Sequence, residues 1–578
     1  MQGPQQHTDP RDTKNLLVAI SLSLLVIFGW QAFVEAPRQE RELAIREAAL
    51  AQAEQDLAPA RAAAENAPLP EVTTPKTREE ILASGPRLKI NTPDLHGSIS
   101  LTGGRIDDLT LARYRETVEA SSPEITLLSP SGTENPYYAE FGWRGEGFVT
   151  PDQSTVWQTS GSALTPETPV TLTWANGQGL VFERVIAVDD KFMFTVTQTV
   201  RNEGTAVVAL RPYGLVSRTA DPAQDSIYLQ HEGPIGVLGG VLEEDEYVEI
   251  VQKGLVTRTT TGGWFGFTDK YWLVALAPDQ ASAVDVRVMN TKQVADNRFQ
   301  TDYVGPAMTI TPGASQSVTT HFFAGAKEAR VLDGYISSIG IPSFDLAIDF
   351  GWFYFLTKPF FYALDFLARL FGNFGFAILA FTVVVKLLLF PLADKSYVSM
   401  AKMKVIAPRV KELRDTYAQD PQRMSQEMMA LYKKEGVHPL SGCWPVLIQI
   451  PIFFALYKVL YVSIEMRHVA FAWMKDLSGP DPSNVFTLFG LLNWSPPSAL
   501  HLGALPIAMG LSMWLQMRMN PPPTDPAQKM VFGMMPWIFM LTMGGFPAGL
   551  IMYWTWSNIL SIIQQFVILR RMHVRTFD

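Results

Sequence analysis

From Phe374 to Leu392 the chain is apolar, and the only charged residue in the stretch is Lys386. At 1.5 Å per residue, some twenty such residues cross the roughly 30 Å hydrocarbon core of a bilayer. A lysine inside that core costs about 2.5–3.5 kcal/mol on insertion scales, so something must compensate it. Thr382 lies four residues earlier and shares its helical face. No Asp or Glu lies in the core of the other C-terminal apolar segments to neutralise the charge. Two arrangements satisfy these facts. Lys386 lines a wet, positively charged pocket within the membrane, or its stem snorkels to the interface beside Pro391.

The 578 residues are too many for one ordinary domain, and two unlike halves are joined. Residues 15–345 carry 25 Lys+Arg against 41 Asp+Glu, whereas residues 346–578 carry 20 against 13. The acidic balance of the first half argues against nucleic acid as its partner. The only cysteine, Cys443, excludes an intrachain disulfide framework, so the first half must stand on its own core.

Leu16 to Val34 is a second run of spanning length, longer than the core of a cleaved signal peptide and therefore expected to be a retained anchor. Ala32 and Ala36 keep cleavage open as the alternative. Residues 38–78 are rich in Ala, Glu, Gln, Arg and Pro and read as a linker with nascent helix. From about residue 87 the pattern changes to period two: Phe192, Phe194 and Val196 alternate with Thr195, Thr197 and Thr199. Val170–Trp174 and Leu180–Val188 flank Asn176-Gly177, a hairpin signal. Many short strands of this kind predict a large antiparallel sandwich. Trp264, Phe265, Phe267, Tyr271 and Trp272 are expected in its core, with a binding cleft as the alternative.

This half shows no catalytic constellation, no metal-ligand spacing among the eight histidines and no phosphate-cradling glycine loop. Binding or scaffolding is the expected role, with no cofactor, metal or nucleotide.

Beyond the sandwich, Lys358, Asp365 and Arg369 fall on one face of residues 351–372, which predicts an amphipathic helix lying in the interface. After the Lys386 span, two amphipathic segments joined at Asp420-Pro421 predict a helical hairpin. Its nine Lys+Arg against six Asp+Glu place it in the cytoplasm by the positive-inside rule. Met400, Met403, Met424, Met428 and Met429 suit an adaptable contact surface there, some of them packing the hairpin itself. Four further apolar segments follow. The last carries a polar stripe, Tyr553, Ser557, Ser561 and Gln564, flanked by Trp554, Trp556 and Asn558. Hydrogen bonding between helices explains Ser557 and Ser561. Gln449, Gln516 and the stripe are equally placed to hydrate a cavity around Lys386.

Four long motifs carry a resemblance: GNFGFAILAFTVVVKLLLFPL, SMAKMKVIAPRVKELRD, SQEMMALYKKEGVHPLSGCWPVLIQIPIFFALY and FPAGLIMYWTWSNILSIIQQ. In order and spacing the chain resembles the YidC family of membrane protein insertases, the group that also holds Oxa1 and Alb3. The N-terminal anchor and the large domain after it extend the likeness to the Gram-negative form.

The resemblance implies six spans, five of them forming a groove open to cytoplasm and lipid and closed on the periplasmic side. Its central cation, an arginine in relatives, corresponds to Lys386, and the groove and contact positions to Thr382, Gln449, Tyr553, Trp554 and Trp556. It implies nascent membrane proteins as substrates, with the Sec translocon and its accessory subunits, membrane lipids, and ribosome and targeting-receptor contacts at hairpin and tail as partners. The periplasmic sandwich is largely dispensable for insertion in relatives.

The expected organisation is a cytoplasmic N-terminus (1–14), an anchor (15–34), a linker (35–85), the sandwich (86–325), a helical connector (326–350) and the interfacial helix (351–372). Spans follow at 373–392, 444–463, 501–519, 530–545 and 548–569. They are separated by the cytoplasmic hairpin (393–443), a periplasmic loop (464–500) and a cytoplasmic loop (520–529), and end in a cytoplasmic tail (570–578). Location in the bacterial inner membrane with both termini cytoplasmic follows. A small-solute transporter would instead require repeats or broken helices in matching halves, and none is found. An intramembrane Ser–Lys hydrolase would require a serine within reach of Lys386, Ser396 being too far along the chain and Ser557 not excluded.

Overall fold

The computed structural model describes residues 75–221, 230–291, 297–437, 444–488, 491, 492, 494, 502–520 and 526–573. The expected anchor, its possible cleavage site, Cys443 and part of the expected periplasmic loop, including Pro496 and Pro497, lie outside them. By their contacts, residues 75–522 and 532–578 fall in one compact unit, the second of two. The second unit contains the sandwich and the helices around Lys386.

The expected sandwich is present as an eleven-stranded and a nine-stranded sheet, antiparallel except where Arg87–Asn91 meets Ala163–Leu164. Period two is literal: along Leu180–Val188 every second side chain is buried. Phe194 and Val196 point into the core, whereas Thr197 and Thr199 pair outside with Thr319 and Ser317 at 3.0 and 2.8 Å. The hairpin forms between Val170–Ala175 and Leu180–Val188, with a four-residue loop rather than the tight two-residue turn. There Asn176 Oδ1 accepts from the backbone N–H of Gln178 and Leu180, and Gly177 takes φ +71°. Trp264, Phe265 and Phe267 are buried and Tyr271 and Trp272 half-buried, so the aromatic cluster is core.

The expected linker is structured at its end. Helix α1 (Arg78–Ala83) is fixed by a capping box in which Thr77 Oγ1 accepts from Glu80 N and the Glu80 carboxylate accepts from Thr77 N. Helix α2 (Tyr247–Lys253) lies within the sandwich domain. The helical half comprises α3 (Ala329–Ser338), α4 (Tyr354–Phe371), α5 (Phe374–Leu388), α6 (Phe390–Thr416), α7 (Pro421–Lys434), α8 (Trp444–Val462), α9 (Ala504–Met519), α10 (Pro526–Thr542) and α11 (Ala548–Arg571).

Among the described residues no single helix is long and apolar enough to cross a membrane. Helices α5 and α6, bent by 67° at Leu389, pass that test together, and Gln449–Val462 is a shorter apolar helix. The bend falls just ahead of Pro391, which sits in the first turn of α6 where its missing N–H costs nothing. Consequently the hairpin's first helix begins at Phe390, inside the stretch expected to span.

The charged face of α4 grips the connector. Lys358 donates to Asp333 and Asp345 at 3.0 and 2.6 Å, and Asp365 accepts from Arg330 and Arg369 at 2.6 and 3.2 Å. The other face leaves Phe355, Phe366 and Leu370 exposed. The sandwich meets the helical half through mixed contacts. Lys270 lies 4.0 Å over the Tyr461 ring and Arg467 stacks 5.5 Å over Trp272, while Lys458 pairs with Asp349 of the connector.

Glu465, just after α8, accepts from Ser463 Oγ at 2.7 Å. Burial, with repulsion from Glu328 and Asp365, pushes its carboxyl up to about 7 from an unfolded value near 4.5. A carboxyl whose folded value lies above its unfolded one opposes folding once ionised, so wild-type stability falls between pH 4.5 and 7. Glu465→Gln removes that slope. In thermal unfolding of the full chain, the variant's advantage should widen with pH and level off near 7. A difference that does not vary with pH would contradict this assignment.

Candidate functional site

Asn373 opens α5 by accepting from Gly375 N at 2.8 Å, and fifteen residues of mostly β-branched, aromatic and aliphatic side chains carry it to Leu388. Lys386 sits in its last turn and is half-buried, while Leu387 and Leu388 beside it are exposed. The ammonium does not lift away from the bundle. Nζ donates to Ser561 Oγ on α11 at 2.9 Å and reaches Gln449 Oε1 on α8 at 3.5 Å. No carboxylate forms an ion pair with it among the described residues; Asp394, the first acid beyond it in the chain, is held by Arg571 at 2.8 Å. An ammonium has three N–H donors, and among the described residues two protein acceptors meet it, which leaves one donor for water or a ligand.

The lysine stands at the end of a polar chain. Gln449 Nε2 donates to Tyr553 Oη at 2.9 Å, and Tyr553 in turn lies beside Ser557. On the other side Tyr397 of α6 lies beside Ser561. Gln564 donates to the Lys386 carbonyl at 3.4 Å, and Trp556 Nε1 donates to the Leu379 carbonyl at 3.2 Å. Three helices are thus tied at one level by side chains whose acceptors are neutral. Such an array holds the ammonium in place without an ion-paired carboxylate among the described residues.

Of the sequence-predicted groove residues, Lys386, Gln449 and Tyr553 come together in this array, whereas Trp556 bonds the Leu379 carbonyl, seven residues before the lysine. Trp554 lies on the same helix in a ring cluster with Phe453 and Phe539, at 4.8 and 5.2 Å. Thr382 is buried and spends its hydroxyl on the Ile378 carbonyl of its own helix at 2.6 Å, one turn from the lysine rather than against it. Gln516, half-buried on α9, joins none of these bonds. Its neighbour Ser512 accepts from Asn558 at 3.1 Å, and Gln565 donates to the Met519 carbonyl at 3.2 Å, which makes α9–α11 a structural seam.

Ser561, from the predicted stripe, proves to be the direct partner of the lysine, and Tyr397, which sequence reasoning missed, stands behind it. The stripe of spacing four, four and three signals Ser561, but nothing local to α6 signals Tyr397, because the bend at Leu389 brings it back. In the hairpin, Met403 and Met428 pack with Ile406, Val410 and Val437, Met400 and Met424 are half-buried, and Met429 is exposed.

Two family models divide the chain between them: YidC periplasmic domain over residues 87–363, and 60Kd inner membrane protein over residues 366–575. A protein named membrane protein insertase YidC from Methylobacterium nodulans is 49% identical over 98% of this chain and 96% of its own length. One of the same name from Methylorubrum extorquens is 48% identical with the same coverage. Among solved structures, an active YidC insertase with its first transmembrane domain resolved aligns with 84% of this chain and 92% of its own, at 17% identity and a TM-score of 0.34.

The Gln449–Tyr553 bond gives a direct test of the polar chain. Gln449→Leu and Tyr553→Phe should each lower stability by about 1 kcal/mol, and the double variant by clearly less than their sum. Thermal unfolding in detergent measures the cycle; strict additivity would mean the two side chains do not interact.

Proposed function

The chain belongs to the YidC family of membrane protein insertases, and we propose that it works by offering the uncompensated Lys386 ammonium to the polar flank of a nascent segment entering the bilayer. It is an inner-membrane protein with a periplasmic domain, it acts on nascent membrane proteins, and it is not an enzyme. The observation that carries the proposal is an ammonium held by Ser561 and Gln449 with no ion-paired carboxylate among the described residues.

The barrier to insertion is the transfer of polar flanks through hydrocarbon, where an acidic residue costs about 2.5–3.5 kcal/mol. A carboxylate 4 Å from an ammonium gains about 4 kcal/mol at the effective dielectric of a protein surface, against about 1 kcal/mol in bulk water. The attraction is therefore of the same size as the barrier. It is not large enough to trap the flank, because solvation by water on the far side replaces it. The exposed apolar side of α5, with half-buried Trp554 beyond it and buried Tyr553 behind, gives the hydrophobic part of the substrate a surface to move along. Burial of that part supplies the driving force, so nucleotide hydrolysis is not required.

The finer assignments belong to the same proposal: Thr382 and Gln516 as flanking groove residues, both termini in the cytoplasm, and six spans. The hairpin α6–α7, with Met429 exposed, is the surface we assign to ribosome and targeting-receptor contacts, and the periplasmic domain meets the Sec translocon. The 2.9 Å Lys386–Ser561 contact has the spacing of a Ser–Lys pair. Ser561 is only 4% exposed, however, and has no open face for an acyl group.

In reconstituted liposomes, Lys386→Ala should slow insertion of a substrate with an acidic flank on the order of tenfold, and one with a neutral flank far less. Lys386→Arg should stay within about twofold of wild type, since the charge is kept. Equal rates for wild type and Lys386→Ala would remove the ammonium from the mechanism.

A further inference from the structure

The outermost strand of the eleven-stranded sheet, Leu255–Thr261, pairs on one side only, with Ala283–Asn290. The phase of that ladder decides which backbone groups are spent. Asn290 N donates to the Gly254 carbonyl at 3.1 Å, one step beyond the Leu255–Met289 pair. Bonded pairs alternate along an antiparallel ladder, so Val256, Arg258 and Thr260 exchange hydrogen bonds with Val288, Val286 and Val284. The neighbouring ladder is in the matching phase: Thr291 N donates to the Arg298 carbonyl at 2.8 Å, so Met289, Arg287 and Asp285 bond the next strand, Arg298–Val304. Leu255, Thr257, Thr259 and Thr261 therefore turn their N–H and C=O groups away from the sheet, and these meet no partner among the described residues.

Sheet edges in native proteins are blunted by brevity, by proline or charged side chains, or by a bulge. The other outer strands among the described residues follow that rule. Gln158–Thr159 and Ala163–Leu164 have two residues each, Val241–Glu244 has four with two glutamates, and the pairing of Glu124–Leu128 is broken by two register shifts. Leu255–Thr261 has seven residues, four of them threonine, with no proline, no lysine and no register shift. Leu255, Thr257, Thr259 and Thr261 are all exposed. The charges beside the strand are occupied. Arg258 donates to Asp245 at 2.7 and 2.8 Å, Arg287 to Asp302 at 2.7 Å and Lys253 to Glu249 at 3.1 Å, and Asp285 accepts from Thr259 Oγ1 at 2.9 Å.

We propose that this edge takes up an extended segment of a nascent membrane protein on the periplasmic side, which adds to the sheet as a further strand. The edge presents main-chain donors and acceptors in register beside charges that are already paired, so it recognises a polypeptide backbone and is indifferent to the side chains it carries. An insertase whose substrates differ in sequence but share an unfolded backbone has use for such a contact. The proposal rests on the reading that the chain serves nascent membrane proteins; the sandwich matches the periplasmic domain of the family, on the side where translocated loops emerge. A second copy of the chain suits the edge less well. Seven residues at about 3.4 Å each give a strip about 24 Å long and about 5 Å wide, far short of the roughly 800 Å² per partner that a stable interface buries.

Hydrogen exchange of the full chain in detergent, read by mass spectrometry, tests this. The probe is a short capped peptide of alternating threonine and valine with a lysine at each end. At saturation it should slow exchange across residues 255–261 by about tenfold, as closure of the free edge requires. The same residues in scrambled order should bind within about twofold. The peptide N-methylated at two adjacent central residues, which blocks both of its edges, should give no protection. Thr257→Pro with Thr259→Pro removes two outward N–H groups and spares the ladder to Ala283–Asn290, because proline is tolerated where the N–H faces away from the sheet. That variant should bind the peptide about tenfold more weakly. No protection in wild type, loss of binding on scrambling, protection by the N-methylated peptide, or unchanged binding in the proline variant would overturn the proposal. So would a wild-type dimer in native mass spectrometry that the proline variant loses, since a second copy would then hold the edge. The three peptide comparisons use wild type alone and stand even where the proline variant does not fold. Lys386→Ala should keep the protection, so failure of the groove mechanism and failure of this edge register in different measurements.

Discussion

An ammonium group inside a helical bundle, hydrogen-bonded to neutral acceptors and paired with no carboxylate among the described residues, is the constraint around which the helical half is arranged. A salt bridge at this place would satisfy Lys386 and also close the site, because a permanent counter-ion competes with any passing one. Serine and glutamine hold the side chain in position without cancelling its charge. The cost, a few kcal/mol for a charge at membrane depth, falls on a bundle tied elsewhere by Ser512–Asn558 and Gln565–Met519. Stability and function are thus assigned to different seams of the same helix: one face of α11 holds α9, and the other holds the lysine.

The bend between α5 and α6 is the second half of this arrangement. A straight continuation past Leu389 would carry Tyr397 away from the site. The 67° turn instead returns α6 so that Tyr397 meets Ser561, and the hairpin begins close to the charge. The surface we assign to receiving substrates and the group we assign to accepting their polar flanks are therefore joined by one short bend. The sandwich domain takes no part in this geometry. It attaches through Lys270–Tyr461 and Arg467–Trp272.

Much of this is legible in the sequence, for physical reasons that differ by region. Period-two alternation in Leu180–Val188 and around Phe194 forces a half-buried strand, and strands are what form. A charge among apolar residues likewise forces a compensating environment, and the spacing of Ser557, Ser561 and Gln564 places candidate partners on one face. Helix ends and long-range returns are less accessible. The capping box at Thr77 turns residues of linker composition into α1, since caps act locally and composition does not report them. Thr382 shares the face of Lys386 in any helical projection, yet its hydroxyl bonds the Ile378 carbonyl, an intrahelical alternative that spacing alone cannot reject. Gln516 groups with the groove on polarity, whereas the lysine is reached from α8 and α11.

The central claim is that water reaches Lys386 while its neighbours face lipid. Cysteine reactivity separates these conditions, because only a hydrated thiol ionises and reacts with a charged thiosulfonate reagent. With Cys443 replaced by serine, Lys386→Cys and Leu387→Cys can be compared in inverted membrane vesicles with a membrane-impermeant reagent, using Met429→Cys as the exposed reference. Position 386 should react within about tenfold of position 429, and position 387 far more slowly. Equal inertness of 386 and 387 would mean a dry site, and the account of a charge kept open for substrates would be wrong.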